Sequence, residues 1–313
     1  MAKYLITGGA GFIGSTIANT LLEQGHTVFV VDDLSMGQIK NLNHTDKLHF
    51  FEHSITDHKY VNDLLDHEHF DYILLVGAVA SVADSIADPG RTHEINAEAN
   101  FNILEHLRKA KLPLKALLFI SSAAVYGNLP GVPKKETSPV EPQTQYAVDK
   151  YSTERDVINY HKLYNLPAIA VRLFNIYGPK QNPKSPYSGV LSIITDCLIN
   201  DTEFKQYGDG EQIRDFTYVE DVAFCILSLL KEPRAIGEVV NIGTGHKISL
   251  NNVIRIIENI SGKHLQKQIL PDRVGDIKCS YGDPSKLNSF GLVAKTDLET
   301  GLKKYWGSLI ENS

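Results

Sequence analysis

Tyr146 and Lys150 stand four residues apart, and of the 14 tyrosines only Tyr146 has a lysine at that spacing. On a helix, residues four apart share a face. An ammonium beside a phenol favours the phenolate and draws the tyrosine pKa down from its usual value of about 10. Such a phenolate takes the proton of an alcohol while hydride leaves the same carbon. Upstream, Phe119-Ile120-Ser121-Ser122-Ala123-Ala124-Val125-Tyr126-Gly127 closes an apolar run, and Ser122 is placed to hydrogen-bond the reacting hydroxyl. Taken alone, the Tyr/Lys spacing also suits an exposed pair, and two serines also suit a turn.

A second constellation lies at the start of the chain. Thr7-Gly8-Gly9-Ala10-Gly11-Phe12-Ile13-Gly14 holds two overlapping glycine frames between a short apolar run and a helical pattern. Glycines there let a pyrophosphate approach the first free N–H groups of a helix, where the dipole favours negative charge. Val30-Val31-Asp32-Asp33 ends the next apolar run, placing Asp32 18 residues past Gly14. A carboxylate at that distance suits a 2′-hydroxyl of an adenosine ribose and repels a 2′-phosphate, so the expected cofactor is NAD.

These residues need a scaffold. Short apolar runs at 3–7, 27–31, 48–51, 72–76, 116–120 and 168–173 alternate with helical patterns at 12–24, 57–66, 89–110 and 144–164. That alternation predicts βαβ units and a parallel sheet covered on both faces. From about residue 174 the texture changes. A proline-rich loop at 178–188 leads to a helix ending near Asn200, helices at 221–231 and 250–261, and one more strand at 238–242. The expected fold is α/β: a doubly wound parallel sheet over 1–173, then a smaller C-terminal α/β substrate-binding lobe over 174–313, some of whose segments return to the first domain.

Composition narrows the function. The chain has 313 residues, 42% apolar and 22% charged, with net charge −6. It carries no basic excess for nucleic acid or an anionic membrane. Cys197, Cys225 and Cys279 form no C-x-x-C pair, and the twelve histidines are scattered apart from His67-Glu68-His69, so no metal site is expected. The sparse, odd cysteine count and an opening unlike a signal peptide point to the cytoplasm.

Further motifs follow in order: Arg172-Leu173-Phe174-Asn175-Ile176-Tyr177-Gly178-Pro179 and Gly208-Asp209-Gly210-Glu211-Gln212-Ile213-Arg214-Asp215-Phe216. With the glycine loop, Ser121–Gly127 and Tyr146/Lys150, they make the chain resemble the extended short-chain dehydrogenase/reductases of the nucleotide-sugar epimerase/dehydratase group, from residue 3 to about 287. The resemblance implies a Rossmann-like first domain. It implies NAD contacts from Gly8, Gly11, Phe12, Ile13, Gly14, Asp32, Asp33, Leu34, Ser35, Gly37, Ser54, Ile55, Val76, Gly77, Ala78, Val79, Tyr146, Lys150 and Phe174. It also implies substrate contacts from Ser81, Val82, Ser122, Asn175, Val190, Tyr207, Arg214, Arg273, Asp276 and Ser280. Arg214 and Arg273 match diphosphate-binding arginines, and Asp276 a carboxylate on the nucleotide ribose.

Dehydratases of this group resemble one another in an Asp-Glu pair just after the triad Ser/Thr, where this chain has Ala123 and Ala124. Methyl groups move no protons, and Ala124 also argues against decarboxylation. What remains is oxidation and re-reduction at one carbon, as in UDP-galactose 4-epimerases: Tyr146 takes the C4 hydroxyl proton, Ser122 relays it, and Lys150 lowers the Tyr146 pKa. Position 280, seven after the motif arginine, borders the C2 substituent in such enzymes. Serine there resembles members that also accept N-acetyl sugars. Ser54 stands where the group usually has Asp, and Asn96-Ala97-Glu98-Ala99-Asn100 where it usually reads Asn-x-x-Gly-Thr. The implied partners are a UDP-sugar and a second copy of the chain, paired through the helices at 89–110 and 144–164. A different net oxidoreductase or epimerase of the group, or a non-catalytic NAD-binding protein, is the competing reading.

Overall fold

The structure is a computed structural model that describes residues 1–181, 189–271 and 277–311, without the side chain of Val82. The chain divides into two compact units. One comprises Met1–Val125, Pro142–Arg172 and Ala223–Val240; the other Tyr126–Glu141, Leu173–Val222 and Asn241–Ser313.

The chain begins β1 (Lys3–Thr7), α1 (Phe12–Glu23), β2 (Thr27–Asp32), β3 (Leu48–Glu52), α2 (His58–Glu68) and β4 (Tyr72–Leu75). It continues α3 (Val82–Ala87), α4 (Pro89–His93), a π-helical turn (Glu94–Glu98), α5 (Ala99–Ala110), β5 (Ala116–Ser122), α6 (Gln145–Tyr164) and β6 (Ala168–Leu173). Then come β7 (Ile176–Tyr177), α7 (Val190–Asn200), β8 (Phe204–Tyr207), β9 (Ile213–Arg214), β10 (Thr217–Tyr218), α8 (Val219–Leu229) and β11 (Val239–Ile242). Last are β12 (Ile248–Ser249), α9 (Leu250–Ser261), β13 (Lys267–Leu270), β14 (Cys279–Ser280), α10 (Ser285–Ser289) and α11 (Leu298–Ile310).

Seven strands form one sheet in the order β11-β6-β5-β4-β1-β2-β3, and the pairs from β5 to β3 are parallel. This is the doubly wound α/β architecture expected from the alternating pattern. The strands read as unbroken apolar runs because helices cover both faces. Leu5, Phe29, Ile73, Leu117 and Phe119 pack there with Leu65, Ile103, Leu104 and Val157 from the helices. Thr144 caps α6 by accepting the Ala147 N–H, and Asn165 ends it at φ 58°. Local signals therefore set the bounds of the helix that carries Tyr146 and Lys150.

The region expected as one helix at 89–110 is three segments. At the π turn, Asn96 points its side chain at the backbone of Val79 and its carbonyl accepts from Asn100 Nδ2 at 2.9 Å. An extra residue in a helical turn allows that displacement, and periodicity alone does not reveal it.

The second unit has its own core of Tyr177, Ile194, Tyr218, Val253, Ile254, Ile257, Tyr305 and Trp306. Its small sheets pair β12-β9-β14, β13-β8 and β10-β7. β9 is central to the first of these, so Arg214 stands in register with Ser280 on β14.

Candidate active site

Ser122, Tyr146 and Lys150 come together in the first unit. β5 ends at Ser122, and the following 3₁₀ turn, Ala123–Tyr126, brings the Ala124 N–H to Ser122 Oγ at 3.1 Å. The Ser122 hydroxyl also lies near Tyr146 Oη, close enough to pull its pKa down. One turn further along α6, Lys150 is buried; its Nζ donates to the Ile120 carbonyl at 2.8 Å and lies 6.0 Å from the Tyr146 ring centroid.

The electrostatics differ from the expectation. Protein packed around the Tyr146 hydroxyl raises its pKa, and among the described residues the Ser122 hydroxyl pulls it back. Burial also pushes Lys150 down to about 7, against a smaller upward pull from Asp149. Removing water disfavours the charged form of both groups, and that is the larger influence on each. Ser122, not Lys150, is therefore the group that favours the phenolate in this arrangement.

The neighbourhood is fixed by buried hydrogen bonds. Ser121 Oγ donates to Glu154 Oε2 at 2.8 Å, and Arg172 donates to both Glu154 oxygens at 2.8 and 2.7 Å. This ion pair is buried and clamps the end of β5 to α6 and β6. Thr7 Oγ1 accepts from Val76 N and Gly77 N, each at 3.1 Å. Asn96 Oδ1 accepts from Val79 N at 2.8 Å while its Nδ2 donates to Val79 O at 3.0 Å. The segment 76–79 after β4 is thereby pinned at both ends. The sequence offered no signal for Thr7, Glu154 or Arg172 in these roles, since their partners are distant along the chain.

The glycine loop fits a dinucleotide. Gly8 has φ +66°, and a Cβ there would stand 2.5 Å from Gly77 Cα. A Cβ at Gly14 would stand 2.2 Å from the Gly8 carbonyl oxygen, so the loop and α1 pack too closely for any side chain. At Gly11 the only atom near such a Cβ is Gly8 O, at 3.3 Å; glycine leaves a cradle there that a side chain would fill. Gly11 is the N-cap of α1 and no side chain caps the helix, which leaves its first amides to an anion. Phe12 and Ile13 open that helix.

Asp32 is buried at the end of β2. Its oxygens accept from Ala10 N and Leu34 N, each at 2.9 Å, and burial raises its pKa against those hydrogen bonds. Each carboxylate oxygen has a second lone pair, so a ribose hydroxyl still finds an acceptor. Asp33 accepts from Ser35 N at 3.0 Å, Gly37 packs beside Asp32 and Ala10, and Ile55 is buried. Ser54 Oγ is engaged with Thr56 in a local turn. Ala78 is partly exposed in the pinned segment.

Ser81 Oγ accepts from Asp84 N at 2.9 Å as the N-cap of α3, and the backbone of Val82 begins that helix. In the second unit, Asn175 is exposed and its Nδ2 donates to Asp215 O at 3.0 Å. Phe174 is buried against Tyr126 and Gly282. Arg214 Nη1 donates to the Ile277 carbonyl at 2.6 Å. Val190 begins α7, Tyr207 ends β8, and both are partly buried, as is Ser280. Arg273 and Asp276 lie outside the described residues. Asp215 went unnoticed in the sequence: its carboxylate accepts from Thr244 N and Gly245 N at 3.0 Å and Gly282 N at 3.3 Å, tying three loops together.

Comparison with known proteins agrees with this geometry. The sequence model of the NAD dependent epimerase/dehydratase family matches residues 4–243. A UDP-glucose 4-epimerase of Mycolicibacterium smegmatis is 32% identical, with 96% of each chain covered. The crystal structure of UDP-glucose 4-epimerase with UDP-glucose from Thermotoga maritima superposes with TM-score 0.94 at 34% identity, covering 99% of both chains. A UDP-N-acetylglucosamine 4-epimerase from Methanobrevibacter ruminantium, in complex with UDP-N-acetylmuramic acid, gives TM-score 0.94 at 31% identity, covering 100% of this chain and 99% of that one. The chain belongs to the NAD dependent epimerase/dehydratase family.

Proposed function

We propose that the protein inverts C4 of a UDP-hexose through a transient 4-keto sugar, using bound NAD. The observation that carries this reading is the grouping of Ser122 at the end of β5 with Tyr146 and buried Lys150 on α6, the serine followed at once by Ala123 and Ala124. That set moves a proton at one hydroxyl and holds no second acid or base for elimination at a neighbouring carbon. The relatives named above support the same chemistry.

In this account the glycine loop and α1 hold the pyrophosphate, and Asp32 holds the adenosine ribose. NAD held there would supply the hydride acceptor and donor for C4. Tyr146 takes the C4 hydroxyl proton and returns it, and the nearby Ser122 hydroxyl favours the phenolate. Lys150 is the local cation on the same helix. Asn175, Arg214, Arg273 and Asp276 grip the nucleotide diphosphate and ribose, and Val190 and Tyr207 flank the base. Holding the remote nucleotide firmly leaves the hexose free to present its other face.

Ser280 is in register with Arg214; a small residue at the position that borders C2 supports acceptance of UDP-N-acetylhexosamines beside UDP-glucose and UDP-galactose. The exposed rings of Phe101 and Tyr164 meet Tyr160 edge-on across α5 and α6, which suits pairing of these helices in a homodimer.

The test is to incubate purified protein with UDP-glucose, UDP-galactose, UDP-N-acetylglucosamine and UDP-N-acetylgalactosamine, following anomeric NMR signals without added cofactor. Interconversion within each C4 pair is expected. Conversion that consumes added NAD stoichiometrically contradicts the reading.

A further inference from the structure

Asp149, between Tyr146 and Lys150 on α6, is fully buried, and the chemistry above does not use it. A buried carboxylate is costly unless donors surround it. Here two donors meet one oxygen: His93 Nδ1 on α4 and Gln145 Nε2 on α6, each 2.7 Å from Asp149 Oδ1. Oδ2 is buried with no partner. A carboxylate oxygen only accepts, so His93 carries its proton on Nδ1. Lys150 follows directly. Its Nζ donates to a neutral carbonyl, and among the described residues no carboxylate lies within ion-pair distance of it.

We propose that His93 is a positioning residue for Lys150: its bond to Asp149 holds a buried negative charge on the same helical turn as the ammonium. The proposal rests on the role assigned to Lys150 above. Among the described residues, Asp149 is the charged group that opposes the effect of burial on Lys150. If its anchoring donor is lost, the carboxylate is no longer held in place beside the lysine, and the ammonium loses protons at lower pH. His93 itself is about half exposed, so this link connects a buried cation to the surface. The other carboxylate facing His93 is Glu98, whose Oε1 lies 4.0 Å from His93 Nε2. Asp84 on α3, Asp88 and Arg91 beside and on α4, Glu94 in the π turn and Glu154 on α6 make no ion pair with it among the described residues.

The test uses the protein with its bound dinucleotide, labelled with [13Cε]lysine, and follows Lys150 by NMR across pH; Lys150→Arg assigns the signal. In His93→Ala and in Asp149→Asn the Lys150 midpoint should move to lower pH, a loss of about three- to tenfold in proton affinity. His93→Gln, whose amide still donates, should stay within about twofold of wild type. The high-pH limb of kcat should move with the midpoint. An unchanged midpoint in folded His93→Ala overturns the proposal; because His93 is half exposed, this variant decides the matter even if Asp149→Asn does not fold. If the wild type epimerises no UDP-hexose, the proposed function fails, while the titration still decides whether His93 governs Lys150.

Discussion

Replacing Lys150 with methionine should make the protein more stable, and more so in acid than in alkali. Burial lowers the Lys150 pKa from 10.5 to about 7, so the unfolded chain binds this proton more tightly than the folded one. The sign follows from linkage. Above the unfolded value of 10.5 both states are neutral and the site costs nothing. The cost grows as pH falls and is complete below the folded value of about 7. At about 1.4 kcal/mol per tenfold difference in affinity, the ceiling is about 5 kcal/mol at pH 6 and about 2 kcal/mol at pH 9. Methionine fills a similar volume without charge but leaves the Ile120 carbonyl without its donor, a loss of about 1 kcal/mol that depends little on pH. The expected gain in stability at pH 6 therefore exceeds that at pH 9 by about 2–3 kcal/mol. Urea unfolding of dinucleotide-free wild type and Lys150→Met at the two pH values measures it. A variant less stable than wild type at pH 6, or an equal difference at both, would refute the claim that burial makes this ammonium costly. The same variant should lose turnover, so stability and chemistry oppose each other at one side chain.

Other expectations follow from the site. Tyr146→Phe removes the hydroxyl beside Ser122; turnover should fall by orders of magnitude while the protein still carries dinucleotide, read by its absorbance after purification. Turnover near the wild-type rate would remove Tyr146 from the chemistry. Ser280→Tyr should abolish turnover of UDP-N-acetylhexosamines and spare UDP-glucose; equal loss of both contradicts the steric role of position 280. Sedimentation of wild-type protein should give a dimer, and Phe101→Lys, which charges the exposed ring on α5, should shift it towards monomer.

What could be read from the chain was local. The glycine loop, Asp32 and the Tyr/Lys spacing each lie within one strand–turn–helix segment or one helix, so residue types and spacing reveal them. The parallel sheet was legible because its strands are buried on both faces and read as continuous apolar runs. Contacts across the fold were not. Thr7 reaches Gly77, Asn96 reaches Val79, and His93 reaches Asp149 across 56 residues; the side chains of Thr7, Asn96 and His93 look in sequence like ordinary polar residues on a helix or strand. The break at 94–98 was hidden because Ile95, Ala99, Ile103 and Leu107 keep helical spacing through it. The short strands β9, β12 and β14 span two residues each, too few for periodicity to show. The direction of the Tyr146 shift was misjudged because charge proximity shows in spacing and burial does not.

The central claim is that one hydrogen leaves C4 and returns to the same carbon on its other face. UDP-glucose deuterated at C4, incubated with the protein in ordinary water, tests it directly. The account predicts UDP-galactose that retains the deuterium at C4, with no added cofactor consumed. Product that has exchanged that deuterium for solvent hydrogen would contradict it.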